Sequence, residues 1–392
     1  MLPSSPPDRP RLKILFVETY RHVAGGQKGL LDLVEYMNKD EFEPVVLIQG
    51  PGRLADELEK RGVRSIQRKL EPFKNRWLPF SWLLGVRPVC KVIAAEKPDV
   101  VHSNHLYVGR YSGRAARRMG LPCLVTLRLV HEPEFFDRQN RWDTLKCHDR
   151  IVSNSDDGRL VFESDPEVRK KIQTIKNGID LQKFRTFPDR ENLKTTRGGE
   201  FGLTAASIVI VQVASMVPQK GNEELTRVFV ELCRVHADLH LILVGGPFGR
   251  TDNSGIIRGI AAAAGLENRI HLTNYVRNVE EFLNLADISV LNSRQREGLP
   301  RSIIEAMACG NPVVGSNVGA MHELIRDGVN GYLIPANDPS ALRERLDTLI
   351  RDRELRKRMG AEGARLAGEH HDIRKMIAGY QDIYRDLAGA HG

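Results

Sequence analysis

From Arg11 onward the chain alternates short β-branched apolar runs with longer amphipathic stretches, and that rhythm restricts the fold more than any other feature. LKILFV (12–17) leads through a glycine-containing turn to the helical pattern QKGLLDLVEYMN (27–38), and a second apolar run, PVVLIQG (44–50), follows. This is the βαβ rhythm of a parallel sheet with helices on both faces. Further strands are predicted at 100–102, 123–127, 150–154 and 172–175. Between Asp180 and Gly202 the sequence turns polar and Pro188, Gly198 and Gly199 interrupt its periodicity, which predicts a linker. A second domain then starts near Ser207, with strands SIVIVQVAS, LHLILVGG, IHLTNY, ISVLNS and NPVVGS, each followed by a helical pattern. At 392 residues the chain has room for both domains. The predicted organisation is α/β: a flexible tail (1–10), a Rossmann-like domain (11–183), a second Rossmann-like domain (184–369) and a C-terminal helix (370–392). That helix carries Met376, Ile377, Tyr380, Ile383 and Leu387 near one stripe and is expected to pack back on the first domain.

Charge and cysteine usage narrow the classes of function. A net charge of +8 suits an anionic partner such as a nucleoside diphosphate, a phospholipid or nucleic acid. No helix-turn-helix, zinc-finger or RNA-binding pattern accompanies it, so no nucleic-acid partner is expected. The five cysteines are scattered without metal or redox spacing and fit a reducing cytoplasm. MLPSSPPDRP lacks the apolar core of a signal peptide, and no later run reaches the roughly eighteen apolar residues of a membrane span. Residues 53–91 hold ten Lys/Arg against four Asp/Glu, interleaved with Phe73, Trp77, Phe80 and Trp82. Two readings stay open there. The segment contacts an anionic membrane from the cytoplasmic side, or its aromatics pack inward and its cations face solvent.

In open α/β sheets ligands bind beyond the carboxyl ends of the strands, so two such domains form their site in the cleft between them. The most informative stretch, NSRQREGLPRSIIEAMACGNPVVGS (292–316), runs from a strand end through Glu297, Gly298 and Leu299 into a helix that Pro300 is suited to open. Glu305 follows on that helix among apolar neighbours, where an unpaired carboxylate is costly, so it needs a partner. Carboxylates accept from sugar and ribose hydroxyls, and amides at a helix start suit a diphosphate. Lys220 follows another predicted strand, with Gly221 permitting close backbone approach. Gly25 and Gly26 sit in the first βα turn, but the three spaced glycines of a dinucleotide fingerprint are absent, which argues against a nicotinamide or flavin dehydrogenase.

Glu297, seven intervening residues and Glu305, within EGLPRSIIEAMACGNPVVGSNVGAMHELI, resemble the signature of the family 4 (group 1) retaining glycosyltransferases of GT-B fold. NGIDLQKF (177–184) resembles that family's interdomain segment and VPQKG (217–221) its phosphate-binding loop. The resemblance is strong over about 170–340 and weaker before it. It implies a cleft in which Glu297 contacts the transferred sugar, Gly298, Leu299 and Pro300 present the turn that holds sugar hydroxyls and phosphate, and Glu305 binds the ribose. Lys220 would neutralise the diphosphate, with Ser215 standing where the family usually has an arginine. Val276, within Tyr275–Arg277, would flank the nucleobase, and Gly25 and Gly26 would lie near the donor phosphates and the acceptor. The family's catalytic-site histidine falls at Arg128 by strict spacing, with His131 three residues later; His102 and His105 could line the same cleft or be structural. No Asp-x-Asp triplet or histidine cluster occurs, so neither metal nor other cofactor is expected. The implied reaction is retaining transfer from a UDP-sugar, preferred over a GDP-sugar, to a glycan or lipid-linked acceptor in cell-surface polysaccharide or glycolipid synthesis. A GT-B sugar-nucleotide epimerase and a catalytically silent sugar-nucleotide-binding subunit are the alternatives.

Overall fold

A computed structural model describes residues 11–70, 81–129, 141–163, 165–248 and 251–390. The named strands form two parallel sheets. The first contains β1 (Leu12–Glu18), β2 (Phe42–Ile48), β3 (Arg64–Gln67), β4 (Val100–Ser103), β5 (Cys123–Leu127), β6 (Arg150–Ser153) and β7 (Ile172–Thr174) in the order β3-β2-β1-β4-β5-β6-β7. The second contains β8 (Ile208–Val213), β9 (Leu239–Val244), β10 (Ile270–Leu272), β11 (Ile288–Leu291), β12 (Val313–Ser316) and β13 (Gly331–Ile334) in the order β10-β9-β8-β11-β12-β13. The two Rossmann-like domains expected from the alternation are therefore present.

Alternation of side chains across each pleat builds two cores per sheet. Ile14 and Phe16 of β1 enter one apolar cluster, while Leu15 and Val17 enter the cluster on the opposite face. In the second sheet Val209 and Val211 face one core and Ile210 the other. The edge strands β3 (RSIQ) and β13 (GYLI) are additions to the predicted set. An edge strand covered on only one side needs no continuous apolar run, and β3 has no buried residue at all.

The segment from Asp180 to Gly202 is not the linker its polar sequence predicts. It holds the Arg190–Thr196 helix and packs on the second domain. Arg190, half-buried, donates to the Asn284 carbonyl at 2.8 Å and to Asn311 Oδ1, and Lys194 Nζ pairs with Asp287 Oδ2 at 2.6 Å. Arg190 and Lys194 are bonded partners of the second domain, while most other polar residues of the segment face solvent. The interdomain crossing lies earlier, where the Ile179 amide donates to the His371 carbonyl and the Ile373 amide returns a bond to the Ile179 carbonyl, at 2.9 and 3.0 Å. Gly178 is required there, because a Cβ would come within 2.7 Å of the Ile373 Cα. Beyond this double crossing the Ile373–Gly389 helix lays Ile373, Met376, Ile377, Tyr380, Ile383, Tyr384 and Leu387 into the first domain's core.

Candidate active site

Strand order reverses between β1 and β4 in one sheet and between β8 and β11 in the other, the points at which parallel α/β sheets open a crevice for ligands. The predicted site residues lie around those strand ends. On the second domain, β8 leads through half-buried Ser215 to a short turn, Pro218–Lys220, and β11 leads to Asn292 and the Glu297 loop. Gly221 has φ +64°, and a Cβ on it would lie 2.0 Å from the Asn292 carbonyl oxygen, so glycine lets the two loops touch. That contact brings Lys220 Nζ onto the Glu297 carboxylate, which Ser293 Oγ also bonds. Glu297 is buried, with Gly319 packed against its backbone. The next helix runs Arg301–Ala308, with Pro300 as its N-cap rather than its first residue. Buried Glu305 faces Arg301 Nε of its own helix at 3.9 Å, which supplies the cationic neighbour its setting demands. Leu299 is buried, and its carbonyl accepts from Asn177 Nδ2 at 2.6 Å; Val276 packs at the margin of the same core.

On the first domain, Gly25 and Gly26 are the opening residues of the Gly25–Tyr36 helix rather than a separate turn. A Cβ at Gly25 would meet nothing within 4 Å, whereas one at Gly26 would press on the Arg128 side chain at 3.1 Å. Arg128, at the position where strict spacing puts the family's catalytic-site histidine, turns its side chain into the first domain. Its guanidinium runs along the first turn of that helix and donates to the Asn104 carbonyl at 2.9 Å and to Asn104 Oδ1. Arg128 meets the Glu297 loop through its backbone: a Cβ on Gly298 would sit 2.1 Å from the Arg128 carbonyl oxygen and 3.0 Å from Asn154 Oδ1. His131 falls outside the described residues.

The two other histidines divide. His102 does not line the cleft; fully buried, it bonds Tyr384 OH at 2.8 Å and Thr126 Oγ1 at 2.9 Å, and burial drives its pKa well below the usual value. His105 bonds Glu18 Oε1 through Nε2 at 2.9 Å. Glu18, which sequence reasoning missed, ends β1 with no exposed surface and accepts also from the amides of Thr19 and Tyr20, from Gln27 Nε2 and from Asn104 Nδ2. Burial alone would raise its pKa, but His105, the Tyr20 amide and Asn104 outweigh burial and hold it at about 2.

Three further asparagines of this site were also missed: Asn104, Asn154 and Asn292. Each follows an apolar strand in a Ser/Asn-rich corner, HSNH, VSNS and LNS, so the available signal was a small polar residue where a buried strand ends. Contacts that close the cleft leave no such local mark. Arg301 Nη2 pairs with Asp32 Oδ2 of the first domain at 2.5 Å and its Nη1 donates to the Gly178 carbonyl at 2.6 Å. Arg53 stacks on the Tyr275 ring at 3.0 Å, Arg277 pairs with Glu57 at 3.1 Å, and Lys176 pairs with Glu323 at 3.0 Å. Within the basic 53–91 segment, Arg53 is thus engaged across the cleft, Arg61 pairs with Glu35 and Glu57, and Arg64 with Glu96. Phe73, Trp77 and Phe80 lie outside the described residues.

Comparison with known proteins agrees with this geometry. Residues 200–366 match the sequence model for glycosyl transferases group 1, and residues 23–183 match that for glycosyltransferase family 4. The N-acetyl-alpha-D-glucosaminyl L-malate synthase of Bacillus anthracis is 28% identical over 56% of this chain and 54% of its own length, so about half of that relative is spanned. The UDP-Gal:alpha-D-GlcNAc-diphosphoundecaprenol alpha-1,3-galactosyltransferase of Escherichia coli is 24% identical over 96% of this chain and 97% of its own. Among solved structures, Anabaena HepE in complex with UDP and glucose superposes with a TM-score of 0.81 at 22% identity, over 95% of this chain and 99% of that one. The sucrose-phosphate synthase of Thermosynechococcus elongatus gives 0.80 at 18% identity, over 97% and 100%. These likenesses establish a GT-B fold.

Proposed function

Since this chain belongs to the group 1, family 4 glycosyltransferases, we propose that it moves a sugar, with retention of anomeric configuration, from a UDP-sugar to a glycan or lipid-linked acceptor. The observation that carries the donor half is the Glu297 carboxylate, buried at the cleft and held between Lys220 and Ser293, with Glu305 buried on the next helix. In the proposed complex the diphosphate draws Lys220 toward itself, which frees Glu297 for the hydroxyls of the transferred sugar. Lys220 and the amides opening the Arg301–Ala308 helix then stabilise the departing diphosphate as fixed charges, with no metal ion. The UDP bound by HepE and the UDP-Gal named for the E. coli relative favour UDP over GDP. That relative's diphosphoundecaprenol-linked acceptor supports a role in cell-surface polysaccharide or glycolipid synthesis.

Titration with a panel of UDP- and GDP-sugars, followed by slow hydrolysis of the bound donor, tests the reading. A UDP-sugar should bind and release UDP, and a configuration-resolved product should keep the donor's anomeric form. Binding without turnover in the presence of acceptors points to a silent subunit, an altered free sugar nucleotide points to an epimerase, and no binding overturns the assignment. Among the described residues no helix is long and apolar enough to cross a membrane. The proposed site of action is the cytoplasmic side, with peripheral contact at the inner membrane face through the basic segment 53–91. Sedimentation with anionic but not neutral liposomes is the expected result, and equal sedimentation with both removes the contact.

A further inference from the structure

Only four aromatic side chains are among the large exposed hydrophobics of the described residues, and three of them, Tyr20, Tyr107 and Phe248, belong to one string beside the cleft. Tyr20 leaves β1, Tyr107 opens the helix after β4, and Phe248 follows β9 on the opposite domain. They are 37%, 43% and 37% exposed. His105 and His22 join them. The ring centroids of Tyr107 and His105 are 6.2 Å apart, those of His105 and Tyr20 5.0 Å, and those of Tyr20 and Phe248 6.4 Å, while His22 meets Phe248 edge-on at 4.3 Å.

His105 and Tyr20 are held in place. Glu18 bonds His105 Nε2 and the Tyr20 amide, so one buried carboxylate fixes both the ring beneath and the backbone of the ring above. Rigid aromatic faces lose little conformational freedom when they bind, which is why exposed, pre-positioned rings mark recognition sites. The string begins at the β1 and β4 ends and reaches the Glu297 loop through Asn104, Arg128 and Gly298.

We propose that Tyr20, Tyr107 and Phe248 form the acceptor subsite and that its ligand is a pyranoside, whose flat C–H face stacks on these rings. The proposal rests on the glycosyltransferase reading and names the acceptor's chemistry within it. A sugar fits better than a hydrocarbon chain because the string is edged with polar groups. Tyr20 and Tyr107 carry hydroxyls, and His22 Nε2 is shielded from water with no hydrogen-bond partner among the described residues, a deficit that a ring hydroxyl can relieve when Phe248 shifts and an alkyl chain cannot. Phe248 comes from the second domain, so the subsite is complete only when the cleft is closed.

Saturation-transfer NMR with methyl glycosides of glucose, galactose and N-acetylglucosamine tests this on the full chain, with decyl phosphate as the hydrocarbon probe and UDP binding measured in parallel. At least one methyl pyranoside should receive saturation on its ring C–H protons, more strongly with UDP present. Tyr20→Ala and Phe248→Ala should weaken that binding by about tenfold each, and Tyr20→Phe, which keeps the ring, should retain most of it. UDP bound normally with no pyranoside signal, or with decyl phosphate preferred, overturns the subsite and leaves the glycosyltransferase reading standing. Loss of UDP binding by the wild-type chain overturns that reading instead. Equal pyranoside binding by wild type and both alanine variants places the sugar elsewhere and overturns the proposal.

Discussion

Glu297 and Glu305 are separated by seven residues, but they sit in different surroundings, which fits the different roles proposed for them. Glu297 is tethered to Lys220 of another loop, whereas Glu305 sits within its own helix beside Arg301. Glu305→Ala should raise the Kd for UDP itself about tenfold, while Glu297→Ala should leave UDP within about twofold and lower kcat on the order of a hundredfold. Calorimetry with UDP and turnover of the UDP-sugar separate the two, and equal losses of UDP affinity would show the roles misassigned. Glu18 makes a pH prediction. Its pKa is about 2 against an ordinary 4.5, so its contribution to stability is whole above 4.5 and is lost as pH falls through about 2. The difference corresponds to stabilisation on the order of 3 kcal/mol. Melting between pH 5 and pH 2 should therefore steepen for wild type and flatten for Glu18→Gln; identical slopes would mean that the carboxylate is not the titrating group. Nothing around Glu18 in the sequence separates it from a solvated charge, since four of its five partners are side chains or amides brought by folding, and only the Thr19 amide is its immediate neighbour.

At the scale of elements, whatever depends on period was legible and whatever depends on partners was not. The inner strands of the two sheets were readable because burial on both faces forces apolar runs; edges impose no such demand, and of the four edge strands β7 and β10 were read while β3 and β13 escaped. The Ile373–Gly389 helix shows both sides. Its stripe predicts an apolar face, but not that Tyr384 OH bonds His102 or that Tyr380 OH bonds Thr126 Oγ1 at 3.1 Å. These bonds tie a segment at the far end of the chain to the centre of the first sheet and explain why His102 is neutral and structural rather than catalytic. Tyr384→Phe removes one hydroxyl and leaves His102 Nδ1 unsatisfied in a dry core, at an expected cost of about 1–3 kcal/mol. Urea unfolding reads this directly, and the UDP affinity of the second domain should not follow it. A stability unchanged by the substitution would mean that water replaces the hydroxyl.

For the whole molecule, the cleft is held shut by contacts between residues far apart in sequence, and the central one joins closure to the donor site. Arg301 bonds Asp32 of the first domain and the Gly178 carbonyl at the crossing, and it lies 3.9 Å from Glu305. Arg301 is buried and Asp32 half-buried, so removing the Asp32 charge leaves a buried guanidinium short of one partner, which destabilises the closed form. Asp32→Asn leaves Arg301 with Glu305 as its remaining carboxylate. The guanidinium should then turn toward Glu305 and compete with the ribose hydroxyls, while the domains lose a link beside the hinge. Two consequences should appear together: a larger radius of gyration by small-angle scattering without ligand, and a UDP Kd raised about tenfold. Saturating UDP should restore the compact form, because binding across the cleft supplies the closure energy that the pair no longer does. A variant that keeps the wild-type radius and the wild-type UDP affinity would show that Arg301 belongs to the hinge alone and does not couple the nucleotide to closure.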